Sequence, residues 1–178
     1  MKKDNSPSKT LIFIYSLLVV FSPLGLSDAM SQGIPIPVLT VTASSDGTVS
    51  PETWPHNPDM TVDGNIYTAW ASSANDTIGS WLLYSFKEPV SLSSIIIING
   101  WVPEGFPNFF SQNYRAKKIT LVSDDGSMTS FELKDTNKIQ RISLQTKTKT
   151  IKISIDDIYP AELSENPWVT ISEVLFYE

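Results

Sequence analysis

The sequence predicts an all-β protein, an antiparallel jelly-roll β-sandwich of about eight strands. Short segments in which apolar and polar residues alternate recur along the chain, and Gly, Pro, Asn and Asp residues separate them. Almost no segment has helical periodicity, and three long irregular loops interrupt the strands. These observations together favour two packed sheets with long connections.

The predicted strands follow one another from residue 38 to the end of the chain. Ser93 to Asn99 contains four consecutive isoleucines, so we expect a central strand covered on both faces. Pro89 ends the strand before it, and a hairpin turn at Asp124 to Ser127 joins two later strands. The predicted strands are 38–43, 81–86, 93–99, 117–123, 128–133, 139–144, 147–155 and 169–177.

Three segments without periodicity, 44–75, 101–114 and 156–167, are predicted to be loops. The first has one expected helical turn near Asp59 to Val62. Loops of this length are uncommon in a compact domain unless they bind a ligand or serve a function. We therefore expect functional residues in these loops.

The first 29 residues have the features of a secretory signal peptide. Lys2, Lys3 and Lys9 form a basic segment before an almost wholly apolar run from Leu11 to Phe21, and Ser27 and Ala29 occupy the −3 and −1 positions for cleavage. A retained membrane anchor is the alternative, but the run is shorter than the roughly 20 residues that a bilayer requires. We expect a secreted protein, extracellular or periplasmic, without a transmembrane anchor after processing.

Removal of residues 1–29 leaves a short leader at 30–37 and one domain at 38–178. Of 13 basic and 19 acidic residues, 10 and 17 remain, and this net charge of −7 argues against nucleic-acid binding. The chain has no cysteine, so its stability must come from core packing, with a metal as a further source. An exported protein without cysteine is more typical of a bacterium.

Asp63 to Trp70, with the sequence DGNIYTAW, combines turn formers, oxygen donors and a large aromatic residue. An Asp-Gly-Asn turn followed by Thr68 brings side-chain and carbonyl oxygens together, as a hard cation such as calcium requires. An ordinary turn before a buried Trp70 is the alternative.

The order and spacing of several motifs resemble the galactose-binding-like superfamily, which includes discoidin and coagulation-factor type C domains. These motifs are DGNIYTAW at 63–70, IGSWL at 78–82 and ISEVLFYE at 171–178. The closest resemblance is to the NADase-type glycan-binding, or translocation, domain, through Asn99-Gly100, QNYRAKKITLVSDDGS at 112–127, FELKDT at 131–136 and Ile158-Tyr159-Pro160. The resemblance implies a galactose-binding-domain-like fold and a non-catalytic module that binds glycans on cell surfaces or glycoproteins.

The resemblance also implies a structural cation under the sandwich. Position by position, it assigns the cation, expected to be calcium, to four oxygen-bearing residues: Asp63, Asn65, Thr68 and Glu173. Glu173 lies among apolar residues, where an unpaired buried carboxylate is costly. The alternative is that Glu173 pairs with backbone amides or with a lysine.

Sugars are typically held by aromatic side chains that contact an apolar ring face, beside planar polar groups that bind the hydroxyls. Two of the long loops supply such groups, so the predicted ligand-binding residues are Trp101, Phe109, Phe110, Tyr114, Arg115, Tyr159 and Trp168. The alternative is that several of these aromatic residues close the ends of the core. Arg115 would then pair with Asp156 or Asp157.

No catalytic motif is present in the sequence. His56 is the only histidine, and its position between Pro55 and Pro58 predicts an exposed loop residue. Two other classes of function remain open. Phe106, Phe109 and Phe110 would suit a membrane-surface binder, and the same fold would suit a protein-partner module. The sequence gives no sign of the oligomeric state.

Overall fold

Strands dominate the residues that the computed structural model describes, which are 33–47, 55–162 and 167–178. The predicted signal peptide lies outside these ranges. A 3-10 helix spans Pro58–Thr61, and α1 spans Phe109–Gln112. The strands are β1 (Thr40–Ala43), β2 (Trp70–Ala71), β3 (Trp81–Asn99), β4 (Tyr114–Ser123), β5 (Met128–Glu132), β6 (Gln140–Tyr159) and β7 (Val169–Tyr177).

Two long antiparallel strands, β3 and β6, belong to both layers of the sandwich. The first part of β3, residues 81–85, pairs with β1 and with the second part of β6. The last part of β3, residues 94–99, pairs instead with β7 and with the first part of β6. The register shifts between these parts, where bulges bend the strands. One layer therefore adds β1, β4 and β5 to its halves of β3 and β6, and the other adds β2 and β7.

The continuity of β3 and β6 differs from the prediction. Pro89 was expected to end a strand, and this is wrong, because it is exposed and lies within a register shift where its missing N–H breaks no ladder hydrogen bond. The break predicted between residues 144 and 147 is also absent, since β6 follows β3 round the bend. The helical turn near residue 59 is confirmed, and β7 has the predicted bounds.

The core lies between the two layers and follows the predicted alternation. Leu82, Tyr84 and Phe86 alternate along β3 with less buried residues and pack in one cluster with the side chains of the other layer. Phe176 of β7 meets Tyr84 and Phe86 edge to face, at 5.0 and 5.2 Å between ring centroids. Trp70 is fully buried in the same cluster. The predicted all-β jelly-roll sandwich is confirmed.

A parallel pairing between β4 and β7 joins the layers at one end of the sandwich, which we call the loop end. Residues 114–115 pair there with residues 169–170. The side chain of Asn99 adds two hydrogen bonds to the backbone of Ala116, donating to its O at 2.7 Å and accepting from its N at 3.1 Å. The loop after β3 therefore leaves from a fixed point. Within the described ranges, no helix is long and apolar enough to cross a membrane.

Candidate functional site

The segment from Asp63 to Thr68, which we call the cation loop, is folded by its own side chains. Asp63 Oδ1 accepts a hydrogen bond from Asn65 N at 2.8 Å, and Gly64 supplies the positive φ of 75° that the turn requires. Thr68 Oγ1 lies 2.8 Å from Asp63 Oδ2 and 2.7 Å from Asn65 O. Three of the four predicted cation ligands are therefore held together by one turn.

Glu173, the fourth predicted ligand, is a buried carboxylate on β7. Its side chain is 2 % exposed, and neither carboxylate oxygen makes a hydrogen bond to the described residues. Burial, followed by the neighbouring Asp63 carboxylate, raises the pKa of Glu173 to about 8, against a smaller opposing effect of the Gly64 and Asn65 amides. Since buried carboxylates are rarely left unpaired, the position calls for a proton or a cation.

The structure thus brings Asp63 and Glu173 close to each other, with neutral oxygens around them. The described residues contain no group of three or more His, Cys, Asp or Glu side chains that would hold a metal. A site made from two carboxylates, a hydroxyl and amide or carbonyl oxygens has the all-oxygen chemistry that calcium prefers over softer metals. These residues fit a hard divalent cation.

Two further hydrogen bonds fix the outer part of the cation loop. Ser172 Oγ donates to Thr68 O at 2.9 Å and lies 3.2 Å from Ile66 O. Trp101 Nε1 donates to Tyr67 O at 2.8 Å. The backbone of Ile66 and Tyr67 is therefore held from two sides, while their side chains point to solvent and are 51 % and 48 % exposed.

Five rings at the loop end, which we call the ring cluster, run from the interior to the surface. Trp101 is buried and makes edge contacts with His56 at 4.6 Å and with Phe109 at 5.1 Å. Phe109 in turn contacts Phe106 at 5.7 Å, and Phe106 is 53 % exposed. Trp168 lies 5.3 Å from His56 on the other side. The cluster presents Phe106 on a rigid aromatic base.

The prediction of an exposed His56 is wrong. The ring is buried between Trp101 and Trp168, and Nδ1 lies 2.9 Å from Ala69 O. Burial lowers the pKa of His56. The flanking prolines shape the local backbone, but two tryptophans from distant segments determine the burial.

Arg115 is also buried, and its guanidinium nitrogens donate hydrogen bonds to other groups of the protein. Nε and Nη2 bind the two carboxylate oxygens of Asp135 at 2.9 and 2.7 Å. Nη1 donates to Asn113 O at 2.8 Å and Pro160 O at 2.7 Å. The alternative pairing with Asp156 or Asp157 is therefore wrong, because Asp135 takes that place and Lys117 binds Asp157 at 2.7 Å.

Phe110 packs into a gap created by a glycine. Gly100 has a φ of +79°, and a Cβ at this position would lie 2.6 Å from the Phe110 ring. The guanidinium of Arg115 lies over the same ring, 5.1 Å from its centroid. Gly100, Phe110 and Arg115 therefore form one stack beneath the loop.

All seven predicted ligand-binding residues lie at the loop end, but they differ in accessibility. Tyr159 donates from its hydroxyl to Leu133 O at 2.8 Å, and Trp168 O accepts from Tyr114 N at 2.8 Å. Trp101 and Arg115 are buried, while Phe109, Phe110, Tyr114, Tyr159 and Trp168 are half-buried. Sugar contact by these residues stays a prediction.

Ile66, Tyr67 and Phe106 are exposed apolar side chains of these loops. Ile66 and Tyr67 are not among the predicted site residues, although the sequence contains a signal for their exposure. Two large apolar residues directly after an Asp-Gly-Asn turn lie at a loop tip, and side chains at a tip have no core to enter.

Comparison with known proteins gives a family match over most of the chain. The sequence profile described as the NAD glycohydrolase translocation F5/8 type C domain matches residues 36–177. That range includes the cation loop, the ring cluster and Glu173. No curated protein sequence matches the chain significantly.

Three solved structures share the fold at low sequence identity. The family 32 carbohydrate-binding module of AlyQ in complex with 4,5-unsaturated mannuronic acid is 19 % identical, with a TM-score of 0.57, covering 82 % of this chain and 99 % of that one. The family 32 module of Clostridium perfringens NanJ in complex with galactose is 18 % identical, with a TM-score of 0.58, covering 78 % and 93 %. Two modules of Clostridium perfringens ZmpB in complex with GalNAc are 17 % identical, with a TM-score of 0.63, covering 85 % and 38 %.

Proposed function

Because the chain belongs to the NAD glycohydrolase translocation F5/8 type C domain family, we propose that it is a non-catalytic module that binds surface glycans through its loop end. The observation that carries this proposal is the ring cluster, which rises from buried Trp101 to exposed Phe106. Structural neighbours solved with galactose, GalNAc and an unsaturated mannuronic acid support a carbohydrate as the ligand class.

In this proposal the residues of the loop end have two different tasks. Phe106 and the half-buried Phe109 offer aromatic surface to a sugar ring, and Phe110, Tyr114, Tyr159 and Trp168 line the adjoining loops. Trp101 and Arg115 support the binding loops from beneath, because both are buried and hydrogen-bonded to other parts of the chain. A rigid base lowers the entropy that a loop loses when a ligand binds.

The absence of catalysis is part of the proposal. The family name refers to an NAD-consuming enzyme, whereas the resemblance concerns its accompanying binding domain. The burial of His56 supports this view, since the only histidine lies within the ring cluster. An assay of NAD cleavage and of glycoside release by the purified chain should give no turnover, and measurable turnover of either substrate would refute this part.

We further propose that calcium binds at the cation loop and stabilises the fold. Asp63, Asn65, Thr68 and Glu173 would hold it, and the ion would neutralise two carboxylates that otherwise face each other. The buried, unpaired oxygens of Glu173 support this proposal. Calcium should raise the melting temperature and chelator should lower it; an unchanged melt together with no metal detected by mass spectrometry would refute the site.

Secretion is likewise a proposal, based on the signal-peptide features of residues 1–29. Expression of the full chain in a bacterial host should yield a protein outside the cytoplasm whose mass corresponds to cleavage before Met30. A full-length chain that stays in the membrane fraction would contradict it.

A glycan array, probed with calcium and with chelator, tests the central proposal. We expect retention on a defined group of glycans in calcium, with galactose, GalNAc and uronate oligomers as first probes. No retention on any glycan, for a protein that melts cooperatively, would refute glycan binding.

Exposed Phe106, Ile66 and Tyr67 also favour a second candidate, a membrane-surface module. Apolar side chains at loop tips would enter the lipid headgroup region. Co-sedimentation with liposomes of phosphatidylcholine, with and without phosphatidylserine, separates this candidate from the first. Binding to liposomes without retention on glycans would favour it.

A further inference from the structure

The cation loop carries apolar side chains as well as oxygen donors. Ile66 and Tyr67 follow Asn65 directly, and both are about as exposed as Phe106 on the neighbouring loop. Single exposed apolar residues are common on protein surfaces, whereas a group of them marks an interaction surface. The Tyr67 carbonyl accepts a hydrogen bond from Trp101, so Ile66 and Tyr67 lie on a loop that contacts the ring cluster.

One hydrogen bond joins the two loops. The buried indole of Trp101 donates to the carbonyl of Tyr67 at 2.8 Å, and the same indole supports Phe109 and, through it, Phe106. The backbone position of Tyr67 and the ring position of Phe106 therefore depend on the same side chain. A shift of the cation loop must either break this bond or move Trp101.

The inner part of the cation loop depends on the charges beside it. Asp63 binds Asn65 N and Thr68 Oγ1, while its carboxylate faces the buried, unpaired Glu173. A divalent cation bound by both Asp63 and Glu173 would tie the cation loop to β7, because the two residues would share one ion. The conformation of the loop is therefore sensitive to cation occupancy.

We propose that Ile66 and Tyr67 form one wall of the glycan-binding surface, and that cation binding at Asp63 and Glu173 fixes this wall through the Trp101–Tyr67 hydrogen bond. This inference rests on the proposed function and extends it, because it links the cation to the ligand and not to the fold alone. Such linkage is reciprocal: the factor by which calcium raises glycan affinity equals the factor by which glycan raises calcium affinity.

The first test measures coupling with calcium alone as the probe. In the wild-type protein, calcium should slow amide hydrogen exchange in residues 63–68 and also in residues 101–112. Trp101→Phe keeps a ring but removes the indole N–H, so calcium should then protect residues 63–68 only. Trp81→Phe on β3 is the matched control and should behave as wild type. Protection confined to residues 63–68 in the wild type would overturn the coupling.

The second test measures the wall itself. Tyr67→Ala keeps the backbone carbonyl and the hydrogen bond of Trp101, and should weaken retention on galactose, GalNAc or uronate oligomers by about tenfold or more. Met128→Ala removes an exposed apolar side chain of β5 beside Val122, far along β4 from Tyr114 at the loop end, and should leave retention unchanged. Wild-type retention should also fall in chelator.

The outcomes distinguish this inference from the proposed function. If the wild type binds no glycan in calcium, the proposed function fails and the inference fails with it. If the wild type binds glycan equally in calcium and chelator, or if Tyr67→Ala binds as wild type, only the inference is overturned. If titration calorimetry shows no calcium binding, the cation site and the inference fail while glycan binding stands.

Discussion

Arg115 and Asp135 form a two-point ion pair at the loop end, with N–O distances of 2.9 and 2.7 Å. The arginine side chain is 4 % exposed and the aspartate side chain 37 %. Because Nη1 also donates to Asn113 O and Pro160 O, one guanidinium joins the start of β4, the loop between β5 and β6, and the loop after β6. This pairing organises the surface that we assign to ligand binding.

Replacement of Arg115 should therefore destabilise the protein. Arg115→Ala removes one partner of a largely buried pair and leaves two carbonyls without their donor, so we expect a loss of about 3 kcal/mol or more in the free energy of unfolding. Lys117→Ala breaks the exposed pair with Asp157 and should change it little, since both side chains are 44 % exposed. Urea denaturation measures both, and equal losses would contradict the structural role of Arg115.

Two glycines test the stack beneath the loop. Gly100 and Gly105 have φ values of +79° and +80°, but a Cβ has nothing within 4 Å at Gly105, whereas at Gly100 it meets Phe110. Gly105→Ala should cost about 1 kcal/mol in backbone strain. Gly100→Ala should cost about 1–3 kcal/mol more, from the clash. In a Phe110→Ala background the two costs should converge; a persistent gap would show that the ring is not its cause.

The pKa of Glu173 predicts a pH dependence of stability in the metal-free protein. The pKa is about 8 in the folded chain against an ordinary value of 4.5, so the folded state holds this proton more tightly than the unfolded state. The associated stability is complete below pH about 4.5 and is lost as the pH rises through about 8. In chelator, the melting temperature should fall between pH 6.5 and pH 8.5.

This window also separates Glu173 from His56, whose lowered pKa keeps the imidazole neutral there. Calcium binds the ionised carboxylate, so it should remove most of the fall in melting temperature. Glu173→Gln should abolish both the pH dependence and the effect of calcium. A wild-type protein whose melt in chelator is independent of pH over this range would contradict the assignment.

Phe106 should contribute to ligand retention but not to stability. The side chain is 53 % exposed and its ring contacts that of Phe109 at the outer end of the ring cluster, so Phe106→Ala should leave the melting temperature nearly unchanged. Loss of its aromatic surface should weaken glycan retention by about tenfold. Met128→Ala is the control, because Met128 is 70 % exposed on β5, outside the loop end. Equal retention by the two variants would exclude Phe106 from the site.

The predictable parts of the fold and site are local in sequence. The strand from Val169 to Tyr177 has the predicted bounds, because it is central and apolar enough to be buried along most of its length. The cation loop is predictable since five consecutive positions after Asp63 contain both the turn and the donors. Glu173 was assigned to the site by resemblance; it is buried, and its role as a cation ligand stays a prediction.

The parts that differ from prediction depend on distant segments. The choice of Asp135 over Asp156 or Asp157 as the partner of Arg115 is made by the path of the loop between β5 and β6, which has no periodic signal. The burial of His56 depends on tryptophans 45 and 112 positions later, at 101 and 168. Pro89 indicated a strand end because the sequence alone does not show that a bulge accommodates it.

The bend that β3 and β6 share has a consequence for how the protein unfolds. β3 and β6 each contribute one part to each layer. Neither layer can therefore separate from the protein while the strands of the other layer stay paired. Unfolding should accordingly be one cooperative transition without a half-folded sheet. A single protease cut beside exposed Lys147 or Lys149, at the bend of β6, would sever both layers at once and dismantle a domain that has no disulfide to hold the pieces.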